Sequence, residues 1–102
     1  MKLIYNNTKI SVTTTNNNMI MRYKYQKLYY AIIINNCNRY SSIGSKQRID
    51  IAMTDDKFNI LSFKKEMHEN TVYENKEATK VILLPLDIFS NIKINTCFKL
   101  EE

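Results

Sequence analysis

The chain has one glycine, one proline, one histidine, two cysteines and no tryptophan among its 102 residues. With so little glycine and proline, tight turns fall to Asn, Asp and Ser, whose short side chains bond nearby backbone and whose Asn members tolerate positive φ. The single histidine and the sixty-position gap between Cys37 and Cys97 leave no zinc-ligand spacing. His68 sits between Glu66 and Glu69, but with no second histidine and no cysteine near it the group reads as a solvated loop. Nor is there a glycine-rich phosphate loop, or a pair of carboxylates on one face that would mark acid–base chemistry. The longest apolar run, Leu28 to Ile34, is far short of the roughly 18 residues of a membrane helix. No apolar stretch follows Met1-Lys2-Leu3-Ile4-Tyr5, so no signal peptide is read there and the default location is the cytoplasm. In such a reducing compartment Cys37 and Cys97 are expected as two buried free thiols.

What is present is ordinary for one globular domain spanning 1–102: 44% hydrophobic and 25% charged residues, enough for a single core. The net charge of +5 raises nucleic-acid binding as an alternative function. Abundant Lys, Asn, Ile and Tyr together are also what an AT-rich coding sequence gives. The best nucleic-acid segment is Met19–Tyr25, a strand candidate. Its alternation places Met19, Met21, Tyr23 and Tyr25 on one face and Arg22 and Lys24 on the other. Binding to single strands requires aromatic groups and cations on the same face.

The clearest pattern is a hairpin. Ile49, Ile51 and Met53 alternate with Asp50, Ala52 and Thr54, the period of a half-buried strand. Asp55-Asp56-Lys57 carries turn chemistry, and Phe58, Ile60 and Ser62 make one row of the return strand, with Leu61 and Phe63 on the other. Further strands are expected at Lys2–Tyr5, returning through Asn6-Asn7 to Thr8–Thr14, and at Tyr29–Ile34, Thr71–Tyr73, Lys80–Leu84 and Thr96–Leu100. Lys64–Asn70 reads as a polar connection. Pro85 suits the first position of a helix, and Leu86, Ile88, Phe89 and Ile92 fall at helical spacing, with Asp87 at the positive helix end.

Asn35–Gln47 is the longest irregular stretch, and long loops in compact domains often carry function. Ser41, Ser42 and Lys46, with Arg48 and Asp50 beside them, form a candidate ligand-binding group for a small anionic or hydroxylated ligand or a protein partner. A strand with a bulge at Gly44 explains the same residues structurally. Asp50 itself has two readings. It orients Lys46 or Arg48 toward a ligand, or it bonds the neighbouring loop backbone and fixes its path. A nucleophilic Cys37 with His68 as base is the enzymatic alternative, and it requires the two side chains to meet.

From Ala31 onward the chain resembles domain-of-unknown-function family 192, a bacterial and archaeal family. Asn36-Cys37 opens the shared pattern, Ser42 stands at its Thr and Lys46 at its basic residue. Ile49-Asp50-Ile51, Asp55, Val81-Ile82-Leu83-Leu84-Pro85 and Ile92-Lys93-Ile94 continue it. Ser41 replaces the usual His, Ser45 the Met, Arg48 the Pro and Asn95-Thr96 the Gly-Asp, so the resemblance is to a divergent member. It implies a small, mainly antiparallel β-barrel-like domain with one short helix near the C-terminus, and no assigned reaction. Together these readings give a mainly β binding or interaction module with no catalytic residue, metal or cofactor assigned.

Overall fold

A computed structural model describes residues 1–15, 27–45 and 47–102. The third-strand candidate Met19–Tyr25, with Arg22 and Lys24, and the site candidate Lys46 lie outside the described residues.

The chain is mainly β. Among the described residues nine strands form: β1 (Lys2–Tyr5), β2 (Thr8–Thr15), β3 (Ala31–Asn35), β4 (Arg39–Ser41), β5 (Ile49–Thr54), β6 (Ile60–Met67), β7 (Val72–Glu74), β8 (Lys80–Leu84) and β9 (Lys99–Glu101). Seven make one sheet in the order β6-β5-β8-β3-β2-β1-β9, while β4 and β7 pair separately. All pairings are antiparallel except β2 with β3.

The sheet curls as a half-barrel. Its two edges meet at the start of β6. There Ile60 N–H donates to Thr96 O (2.7 Å), Asn95 N–H to Ile60 O (2.9 Å) and Phe98 N–H to Phe58 O (3.1 Å). Along the remainder of β6 the gap is filled by side chains of the 85–92 segment. Ile88, Phe89 and Ile92 pack there against the inner face, formed by Leu3, Tyr5, Ile10, Val12, Ile33, Ile60, Ile82 and Leu84. The outer face of the central strands is buried as well, with Ile32, Ile34, Ile51, Met53, Val81 and Leu83 lying under the β4–β7 ribbon and Tyr40. Burial on both faces explains why β3 and β8 read as continuous apolar runs. Each buried Ile or Leu side chain contributes roughly 1.5–3 kcal/mol.

Local chemistry fixes the turns. Asn6 takes φ 54° between β1 and β2, as its residue type allows. After β5, Asp55 Oδ1 accepts the N–H groups of Lys57 (2.9 Å) and Asn59 (3.0 Å), and Oδ2 accepts Asn59 Nδ2 (2.9 Å). The Asn59 side-chain bond is the main reason the Asp55 carboxyl lies below its usual range. These bonds also hold Phe58 at φ 64°, an uncommon conformation for a bulky residue.

Several expectations are corrected. The return strand does not alternate simply. Thr54 pairs with Ile60 but Met53 with Ser62, so Leu61 is an extra residue. Phe63, opposite Ala52, comes to the inner face and Ser62 to the outer, while Leu61 packs with the outer cluster. The polar connection after it is a continuation of β6 as far as Met67, which is buried. Tyr29 is exposed and the strand runs over Ala31–Asn35. Cys37 and Cys97 are both free, but only Cys37 is buried, because Phe98 takes the inward position beside Cys97.

No helix forms among the described residues, and Leu86–Ile92 is a run of turns. Ile88 N–H reaches Pro85 O at 3.3 Å, but Asp87 at φ 60° and Asn91 at φ 56° stop helical propagation. Asp87 N–H bonds the Asp50 carboxylate instead. The described residues hold no helix long and apolar enough to cross a membrane.

Tyr40 links this packing to pH. Only 4% exposed in the outer core, its phenol is pushed by desolvation from 10.0 to about 12. The folded state therefore keeps the proton that the unfolded state releases above pH 10, and stability falls as pH rises from there to about 12. The loss is on the order of 2–3 kcal/mol. In urea titrations across that window, Tyr40→Phe is expected to lose less stability than wild type. Equal losses would show that Tyr40 does not govern alkaline unfolding.

Candidate ligand cleft at the Asp50 bulge

The site begins with a second irregularity. Ile49 pairs with Met67 and Ile51 with Lys64, so β6 has one residue too many opposite Asp50. Glu66 takes φ 50° and its N–H turns onto Asp50 Oδ1 at 2.8 Å. Bulges of this kind re-aim side chains and are frequent beside functional sites. Asp50 lies opposite Leu84 and alternates with Ile49 and Ile51, which face outward, so its carboxylate points to the inner face.

Asp50 is 1% exposed, and three donors converge on it. Oδ1 takes Glu66 N–H, Oδ2 takes Asp87 N–H at 3.0 Å, and Lys65 Nζ stands 3.7 Å from Oδ2. A carboxylate is acceptor-only and suits this environment, whereas an amide would set its own NH₂ against one of the N–H groups. Asp50 thus ties β6 to the segment after β8. Lys65 also donates to Asp87 Oδ1. That bond, foremost among its causes, holds the ammonium above the usual lysine range, so Lys65 stays charged at neutral pH.

Between these two segments lies a cleft of about 370 Å³, lined by Phe63, Lys65, Asp87, Phe89, Ser90, Asn91 and Ile92. Its floor is Phe89, packed with Tyr5 and Phe98 at centroid separations of 6.0 Å and 5.7 Å. Tyr5 fixes the far wall, since its hydroxyl accepts Lys93 N–H (3.0 Å) and bonds Thr96 Oγ1 (2.9 Å). The result is an apolar trough with an ammonium, a carboxylate, a hydroxyl and an amide at its rim, the usual make-up of a small-molecule site.

The four sequence-based candidates within the described residues do not converge on one cavity. Ser42 is buried and spent on backbone: Oγ donates to His68 O (2.6 Å) and accepts Thr71 N–H (2.8 Å). Ser41 Oγ accepts Ile43 N–H at 3.3 Å. Gly44, at φ 84°, sits in the turn where Ser45 N–H bonds Ser42 O, a conformation glycine adopts without steric cost. Arg48 is exposed and pairs with Glu66 at 2.9 Å. Asp50 does not line the cleft, but it bonds the backbone of Glu66 and Asp87, in the two segments that form its walls.

Cys37 Sγ donates to Arg39 O at 3.0 Å, and its backbone bonds Thr79. It borders a smaller hollow of about 200 Å³ with Asn36, Asn38, Ala78 and Thr79. His68 lies beyond the other end of the β4–β7 ribbon, where Ser41 pairs with Val72. The ribbon therefore separates the proposed nucleophile from its base.

Phe63, Lys65, Asp87 and Phe89 were not legible as a group. Phe63 and Lys65 reach the cleft only because of bulges, and Asp87 only because Asp50 captures its N–H. The one local signal was Asp50, a charged residue in a strand that is buried throughout. Comparison with protein-family models, curated proteins and solved structures gives no match to the chain.

Proposed function

We propose that the chain is a non-catalytic binding module that holds a small amphipathic ligand in the cleft between β6 and residues 85–92. One observation carries this reading: a fully buried carboxylate ties both walls of an apolar trough together while the rim keeps polar groups in water. Asp50 is committed to backbone, so its role is to shape the trough rather than to transfer protons. The resemblance to domain-of-unknown-function family 192 belongs to the same proposal, with Ile49-Asp50-Ile51 as the part of the pattern that frames the cleft.

Titration with phenethyl alcohol, followed by backbone amide chemical shifts, tests the location. The expected changes concentrate at Phe63, Lys65 and Asp87–Ile92. Changes confined to Ser41–Gln47 would return the site to the loop, and no saturable change would remove the binding reading.

A further inference from the structure

The rim charges give the cleft a preference that its shape alone does not. Asp50, Asp87 and Lys65 sum to one negative charge, and the neighbouring Arg48 and Glu66 neutralise each other. The two carboxylates differ in what they can give up. Asp50 is 1% exposed, whereas the Asp87 side chain is 73% exposed. Losing the ion partner of a buried charge is far more costly than losing that of an exposed one.

We infer that the cleft selects an organic cation, an ammonium group carrying an aromatic or aliphatic body, over the carboxylate of the same shape. This rests on the binding reading above. A ligand ammonium takes the Asp87 carboxylate and leaves Lys65 to Asp50, so every buried charge keeps a partner. The apolar body lies against Phe63 and Ile92. A ligand carboxylate meets the opposite situation. It recruits Lys65 only by drawing it away from Asp50 and Asp87.

Amide-shift titrations with phenethylamine, hydrocinnamate and phenethyl alcohol at low ionic strength test this. Phenethylamine is expected to bind about two- to fivefold more tightly than hydrocinnamate, the ratio one exposed ion pair supplies. The advantage is expected to vanish in Asp87→Asn. That substitution keeps the backbone N–H bond to Asp50, and asparagine accepts the φ of 60° found there. Hydrocinnamate binding as tightly as phenethylamine, or an amine preference that survives Asp87→Asn, would overturn the cation inference while leaving the cleft a binding site. No response to any of the three probes would overturn the binding reading itself.

Discussion

Asp50→Ala is expected to destabilise the fold by about 3–5 kcal/mol, the usual cost of breaking a buried, hydrogen-bonded charge pair. The substitution leaves Glu66 N–H and Asp87 N–H without their acceptor and removes one of the two carboxylates that hold Lys65. For a chain of this length each kcal/mol moves the melting temperature by roughly 4–8 °C, so a fall of more than about 12 °C is expected in a thermal melt. Asp50→Asn is expected to rescue little of it. An amide satisfies one of the two N–H groups and opposes the other. A ligand-contacting Asp50 with no structural role would behave differently, leaving the melting temperature almost unchanged.

The second large effect is at the floor of the cleft. Phe89 is 3% exposed and closes the gap that the half-barrel leaves between its edges. It belongs to an aromatic trio in which Tyr5 and Phe98 lie 5.6 Å apart. Truncating a buried Phe costs about 3–5 kcal/mol through lost transfer energy and the cavity left behind. Phe89→Ala removes one member of that trio, so it is expected at the upper part of that range. Phe63, only partly buried on the cleft wall, gives the contrast: Phe63→Ala is expected to cost less, about 2 kcal/mol, since part of its ring already meets water. Denaturant midpoints for the two variants measure the difference. Equal losses would show that the 85–92 segment is a surface loop and not part of the inner core.

The sequence was most informative where structure is set within a few residues. Lys2–Tyr5 and Lys80–Leu84 are strands with the anticipated bounds, because Asn6 and Pro85 end them by their own backbone preferences. The Asp55 turn likewise rests on bonds to Lys57 and Asn59. What escaped depends on distant partners. The strand Arg39–Ser41, three residues inside an apparently irregular stretch, exists through its pairing with Val72–Glu74. Leu86, Ile88, Phe89 and Ile92 have helical spacing, yet the nearest competitor for Asp87 N–H lies 37 positions earlier in the chain. The bulges at Leu61 and at Lys65–Glu66 shift residues between faces, and nothing in a local alternation announces them. Asp50 carried two readings in the sequence, and the bonds it makes are to the backbone of Glu66 and Asp87. The cleft it organises was not legible, because both walls come from segments whose shape is fixed by that carboxylate.

Amide hydrogen exchange at Glu66 and Asp87 decides whether one carboxylate holds both walls of the cleft. Both N–H groups are bonded to Asp50, so in the wild-type chain both are expected to exchange slowly. In Asp50→Ala, under conditions where the rest of the sheet stays protected, the two are expected to lose protection together. Glu66 and Asp87 exchanging at unprotected rates in the wild-type chain, or responding independently in the variant, would contradict the framing of the cleft by Asp50.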